Sequence, residues 1–454
     1  MNMARKYCRP PKKNGQDVHS FLQEKRGKFQ EAWQKLNILP DDFIYTTDKE
    51  RHLPAVQKVF TTLLENGDIY LGKYEGWYCT SCETFYTETQ LVDKKCPDCG
   101  KAVQLLEEDS YFFKLSKYQE PLLEHIKNNP KFIQPESRKN EVIKFIEQGL
   151  RDLSITRTSF SHGVPVPGTE GHVVYVWFDA LINYISALGF GSADTTVFNK
   201  YWPADVHIMG KEIVRFHAVI WPAMLMALGV ALPKMVFGHG WWTVEGQKMS
   251  KSTGNVVDPL ALAAEFGVDA TRYFLLREVP FGSDGDFAIK NFKLRFNNDL
   301  ANDLGNLLNR SLSMLNKYFE GVVPEIKPDV VSENGRRLEG LYTNLPELVD
   351  KHMDNLGFSV ALEKIWEVIG FANKFIELSA PWTLAKEEKT AELGAVMYLL
   401  LEAQRVCATL LEPFMPETAD KILAQLNAEI GCSLKAGVQT NKGEPLFPRL
   451  EIAE

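Results

Sequence analysis

Lys248 and Lys251 stand three residues apart in the run GQKMSKSTGN, Gly246 to Asn255. Glycine, serine, threonine and asparagine make a poor helix and a poor strand, so the run reads as a loop. Two ammonium groups, two serine hydroxyls and open backbone N–H groups are what a polyphosphate requires around it. A second group with chemistry in it is the pair CTSC and CPDC, which places Cys79, Cys82, Cys96 and Cys99 in a C-x2-C-x13-C-x2-C array. Four thiolates suit tetrahedral zinc, and the two-residue spacing turns each pair back onto one ion. Pro97 and Gly100 suit the tight turns this needs. A closed four-thiolate shell leaves no open position, so such a zinc is structural rather than catalytic. Seven cysteines, an odd count without a signal segment, do not make a disulfide framework.

These groups need elements to position them. Residues 17 to 68 carry apolar side chains at helical spacing, in HSFLQEKRGKFQEAWQKLNI and LPAVQKVFTTLLENGDI. The cysteine knuckle follows among short strands, then a helix at KNEVIKFIEQGL. Next, short apolar strands alternate with helices: HVVYVWF, ALINYISALGF, DVHIMG, KEIVRFHAVIWPAMLMAL and KMVFGHGWWTV. That β-α-β-α-β order predicts a parallel sheet. Ligands of such sheets sit at the carboxyl ends of the strands, and the lysine loop directly follows the last strand. From about Asn291 onward only helices are expected, forming a separate bundle of roughly 160 residues.

Length and composition set the bounds. A chain of 454 residues with 45% hydrophobic and 24% charged residues suits two or three soluble domains. A net charge of −8 argues against a broadly basic surface, although a local patch could still hold RNA. The apolar run from Phe216 to Leu232 is slightly short for a membrane span and contains His217 and Pro222, so it reads as a core helix. No secretory leader is visible, and a cytoplasmic protein with no membrane association is expected.

In this order the motifs resemble methionyl-tRNA synthetases, a family of class I aminoacyl-tRNA synthetases, from about Lys13 to the C-terminus. The residues that carry the resemblance are KMSKS at Lys248–Ser252, VYVWFDALINYI, HIMGKEIVRFHAVIWPAML, the four-cysteine knuckle and SAPW before a bundle helix. The implied fold is α/β: a Rossmann-like parallel sheet, its first half incomplete, with a zinc-knuckle insertion and a C-terminal α-helical anticodon-binding bundle. The implied division is residues 1–72 for the first half of the nucleotide fold and 73–170 for the insertion. Residues 171–247 would form the second half, 248–290 the KMSKS loop and stem-contact region, and 291–454 the anticodon domain.

The resemblance implies a methionine–tRNA ligase that converts methionine and ATP, with Mg2+, to methionyl-adenylate, then loads initiator and elongator methionine tRNA. Lys251 would be the main contact to the triphosphate and Lys248 the second, within the loop Lys248, Met249, Ser250, Lys251 and Ser252, with Gly210 and Glu212 near the nucleotide. The methionine site would comprise Trp177, Ala180, Tyr184, Ile213, Phe216, His217 and Trp221, since a polarisable thioether favours aromatic walls. Asn306 and Arg310, four apart on one helix face, would meet the anticodon with Pro381 and Trp382 as a stacking platform. Lys290, Lys293 and Arg295 would supply local positive charge. One structural zinc and a monomer complete the expectation.

The sequence departs from the family pattern in one respect. Class I synthetases carry a second phosphate motif, His-x-Gly-His, and none of the nine histidines here lies in that arrangement. The reading is therefore of an N-terminally incomplete chain with impaired catalysis, an apolar sheet edge left open and a tendency to aggregate. A tRNA-binding remnant without catalysis is the alternative. A leucine or valine enzyme fits less well, because only one zinc knuckle and no large inserted domain are present.

Overall fold

The computed structural model describes residues 18–79, 84–86, 88, 91–97, 100–158, 163–249 and 254–451. The chain forms two compact units, Met1–Lys28 with Leu39–His239, and Phe29–Ile38 with Gly240–Glu454.

The first unit is built around a three-stranded sheet in the order Ile133–Gln134, Val236–His239, His207–Gly210. Both pairings are parallel; that of His207–Gly210 with Val236–His239 is the one the alternation of strands and helices predicts, whereas Ile133–Gln134 comes from earlier in the chain. Helix His52–Glu65 presents His52, Ala55, Val56, Val59, Phe60 and Leu63 to the core, a 3–4 spacing that puts one face inward. Helix Glu136–Glu147 buries Val142 and Ile146 by the same rule. Strand His207–Gly210 is paired on one side only among the described residues, and Ile208 on it is exposed. An antiparallel sheet of four strands, in the order Thr84–Tyr86, Ile69–Cys79, Gln104–Phe113, Leu153–Ser154, carries the cysteine segment at the far end of its longest strand pair.

HVVYVWF is not the strand its apolar run suggests. Only Val173–Val174 forms a strand, antiparallel to Thr156–Arg157, and Val176–Leu181 is helical. A short apolar run does not separate strand from helix by periodicity. Here Phe178, Leu181, Ile182 and Ile185 recur at helical spacing and are all buried, so packing of that stripe decides.

In the second unit, strand Trp242–Val244 pairs antiparallel with Gln247–Lys248 and parallel with Gly285–Phe287. After Phe287 every named element among the described residues is helical. Helix Glu333–Met353 buries Leu338, Tyr342, Leu345 and Val349, and helix Phe358–Ser379 buries an unbroken stripe from Ala361 to Ile376. Helix Thr390–Leu411 is long and apolar enough to cross a membrane, but 83% of its apolar window is buried inside the protein. Its charge pair is internal as well: Arg405 donates to both Glu402 oxygens at 2.7 and 2.8 Å, and Glu402 also accepts the Leu434 N–H. Arg272 ties residues 36–37 into this unit by donating to the carbonyls of Leu36, Asn37, Pro413 and Phe414.

Candidate functional site

Two short helices and the chain after strand His207–Gly210 build an aromatic cluster in the first unit. Trp177 stacks on Phe216 with ring centroids 4.0 Å apart and planes 9° from parallel. Such a pair contributes about 0.5–1.5 kcal/mol beyond its area. Phe216 and His217 open a π-helical turn, Phe216–Ile220, that leads into helix Trp221–Leu228. One extra residue in a turn re-aims its side chains, and such turns recur where a helix face is shaped for a ligand.

The polar members of the cluster are paired with each other. His217 donates from Nδ1 to the Ile213 carbonyl at 3.0 Å, which leaves Nε2 to accept the Tyr184 hydroxyl at 2.8 Å. Trp221 donates from its indole to Nε2 of His207 at 3.2 Å, and His207 lies 4.0 Å from the Tyr184 ring. Burial lowers the pKa of both histidines. His207, with His217 adding a charge penalty, falls to about 3. Burial raises Tyr184 to about 12. The cluster is thus uncharged near neutral pH, with Tyr184 bonded to His217 and Trp221 to His207 within it.

Trp177, Ala180, Tyr184, Ile213 and Phe216 are partly exposed, whereas His217 and Trp221 are buried. Trp221 reaches the site through His207. His207 itself was not among the residues expected from sequence, although its position on a strand running into HIMGK was a signal for it. At Gly210 a Cβ would lie 2.6 Å from a Glu212 carboxylate oxygen, so glycine makes room for that acid.

Of the two lysines expected to meet phosphate, Lys248 is described and is positioned by the second unit. Lys248 is not in a loop: it pairs with Thr243 in a two-residue hairpin. Glu245 and Gly246 both have positive φ, 51° and 71°, which is the turn geometry that matches strand twist. Asp286 fastens the hairpin by accepting from the Thr243 hydroxyl at 2.7 Å and the Gly246 N–H at 2.9 Å. Those bonds hold its carboxyl below the usual range. Lys248 is exposed, with its ammonium 4.4 Å from the centre of the Trp241 ring. Met249 is described and partly buried, whereas Ser250, Lys251 and Ser252 lie outside the described residues.

Asn306 begins helix Asn306–Phe319 and is exposed, and Arg310, one turn on, is ion-paired with Glu377. Glu377 lies at the end of helix Phe358–Ser379. That helix stops at Ala380, whose φ is 40°, and Pro381 opens the next helix. Pro381 is buried and Trp382 is 47% exposed. Arg295 does not join an open basic patch, since Glu278 and Asp299 neutralise it. Of the four knuckle cysteines, Cys82 and Cys99 lie outside the described residues. Cys79 and Cys96 are buried in one small cluster with Trp77, Leu91 and Val103. Gly100 N–H returns to the Cys96 carbonyl at 2.9 Å, a knuckle turn compatible with thiolate donors on one ion.

Residues 9–108 and 100–312 match the family described as tRNA synthetases class I (M), and residues 328–436 match the anticodon binding domain of methionyl tRNA ligase. The methionine–tRNA ligase of Clostridium acetobutylicum is 51% identical over 444 residues, covering 95% of this chain and 68% of that protein. That of Bacillus subtilis is 50% identical over 458 residues, with 96% and 68% covered. Among solved structures, Mycobacterium tuberculosis methionyl-tRNA synthetase in complex with methionyl-adenylate superposes with a TM-score of 0.89 at 44% identity, covering 96% of this chain and 88% of that one. Its free state gives a TM-score of 0.87 at 42% identity.

Proposed function

The chain belongs to the methionine–tRNA ligase family, and from that premise we propose that it joins L-methionine to ATP as methionyl-adenylate and passes the methionyl group to methionine tRNA, initiator and elongator alike. The observation that carries the substrate choice is the stacked Trp177–Phe216 pair beside the neutral Tyr184–His217 bond. A thioether is apolar, polarisable and a weak acceptor. It gains from aromatic walls, and it makes no demand on Tyr184 or His217, which are already bonded to one another.

In the first step a methionine carboxylate oxygen attacks the α-phosphorus and the bond to the departing pyrophosphate breaks. Charge grows on the leaving oxygens, where Lys251 and Lys248 would meet it. Mg2+, bound with ATP, supplies further charge neutralisation. Lys248 would exchange the Trp241 face for phosphate. In the second step a 3′-terminal hydroxyl of the tRNA attacks the carbonyl carbon and AMP leaves. Glu212 would border the nucleotide, and Asn306, Arg310, Pro381 and Trp382 would read the anticodon. By function the chain divides at 72/73, 170/171, 247/248 and 290/291, although strand Ile133–Gln134 of the parallel sheet falls within 73–170 and strands Ile69–Cys79 and Gln247–Lys248 cross two of these boundaries. We also assign one structural zinc to Cys79, Cys82, Cys96 and Cys99, supported by the shared burial of Cys79 and Cys96, and read the protein as a cytoplasmic monomer.

The absence of His-x-Gly-His from the 454 residues favours a second reading, a tRNA-binding chain without catalysis. Methionine-dependent ATP–pyrophosphate exchange separates the two. We expect the chain by itself to exchange little, and fusion to a His-x-Gly-His segment from a relative to raise exchange. In the fused protein Lys251→Ala should then lower the rate by about 10²–10³-fold. Strong exchange by the unfused chain excludes the non-catalytic reading. Tight tRNA binding with no exchange in either form excludes the ligase reading.

A further inference from the structure

His52 takes no part in the chemistry above, yet it is wholly buried and bonded at both ring nitrogens. Its Nε2 lies 2.8 Å from Oδ1 of Asp179, and its Nδ1 lies 2.9 Å from the Ser186 hydroxyl. All three side chains sit inside the apolar core of the first unit. They join helix His52–Glu65 to two short helices, Val176–Leu181 and Asn183–Ser186. Those helices have six and four residues, too few to hold a direction without outside support.

The spacing gives the bonds a specific consequence. Asp179 follows Trp177 by two residues, and Ser186 follows Tyr184 by two. Two residues turn a helix by about 200°, so in each case the pair points to opposite faces. Burial agrees with this, since Asp179 and Ser186 are buried whereas Trp177 and Tyr184 are partly exposed. On that outer side Trp177 stacks on Phe216 and Tyr184 bonds His217.

We infer that His52 is a positioning residue of the amino-acid pocket: by gripping Asp179 and Ser186 on the inner side of both short helices, it fixes the rotation of Trp177 and Tyr184 on the outer side. The inference rests on reading those two aromatics as walls of the methionine site. Three buried polar groups are a poor way to stabilise a core, since apolar residues of the same volume do that as well or better. What directed hydrogen bonds add is a single geometry.

The test uses the 454-residue chain and equilibrium dialysis with methionine and with norleucine, which replaces the sulfur by a methylene. His52→Leu is expected to weaken methionine binding about tenfold and to flatten the preference for methionine over norleucine. His52→Gln, whose amide can still donate to Asp179, should restore most of that preference. Ser186→Ala removes one hydroxyl and almost no bulk. It should shift the preference in the same direction, by about fivefold, even where His52→Leu fails to fold. A merely structural role would lower the melting temperature and the bound fraction while leaving the preference of the folded protein unchanged, and that result overturns the inference. If the wild-type chain binds no methionine, the pocket reading falls and the inference with it. If wild type binds and the variants keep its preference, only the positioning role falls.

Discussion

His207 shows how a single side chain records its surroundings. It is buried, it accepts the Trp221 indole N–H, and burial together with the nearby His217 lowers its pKa to about 3. In an unfolded chain the same imidazole would titrate near 6.5. The sign follows from proton binding. Below about pH 6.5 the unfolded chain takes up a proton that folded His207 refuses, so stability falls as pH falls, down to about pH 3. One such group costs at most about 1.4 kcal/mol per pH unit, or about 2 kcal/mol between pH 6.5 and 5. Urea unfolding at pH 7.5, 6.0 and 5.0 should therefore show an acid-side loss that is shallower in His207→Gln. Equal slopes for wild type and variant would mean that His207 does not resist protonation. Tyr184 adds no such slope, because with a pKa of about 12 its phenol stays protonated across this range.

At the scale of elements, the end of helix Phe358–Ser379 organises the residues proposed to meet the anticodon. Its last turns hold Glu377 against Arg310, and Asn373 donates to the Asp303 carbonyl, so two helices are registered to each other. Ala380 then breaks the helix in a left-handed conformation and Pro381 restarts it, a position where its missing N–H costs nothing. Trp382 is thereby left at the start of a new helix with nearly half of its surface open. Trp382→Ala should weaken binding of methionine tRNA by about 1–3 kcal/mol if the indole stacks on one base. Arg310→Ala should weaken it too, although part of the arginine's contribution is offset by the Glu377 pairing that RNA must displace. Filter binding with a tRNA of altered anticodon supplies the control: equal affinity for both tRNAs would show that these residues do not read the bases.

For the molecule as a whole, the prediction with a countable answer is its metal content. Freshly reduced protein should carry about one zinc per chain, and Cys96→Ala should release it and loosen the antiparallel sheet around Ile69–Cys79. Elemental analysis that finds no zinc in reduced wild type would remove the assignment. The two cores should respond differently, because the cysteine segment belongs to the first unit and the second is stabilised by helix packing around Thr390–Leu411. Loss of the metal should therefore leave the helical circular dichroism of the second unit largely in place.

The parallel sheet, the helical C-terminal region and the family itself were legible in the sequence, because periodicity and motif order are local properties of the chain. Residues such as Trp177, Tyr184, Phe216 and His217 could be named from their motifs for the same reason. Tertiary structure decided what those residues do to one another. The apolar run HVVYVWF turned helical from Val176 onward because burial of a stripe continuing to Ile185 outweighed strand propensity. Lys248 became part of a hairpin because Asp286, 38 positions on by number, supplies acceptors for Thr243 and Gly246. Arg295 lost its place in a basic patch to Glu278 and Asp299. His207 and His52 gained their roles from partners at Trp221, Asp179 and Ser186. Hydrogen bonds and burial between distant residues have no period along the chain, so a linear reading does not pair them until folding closes the intervening loops.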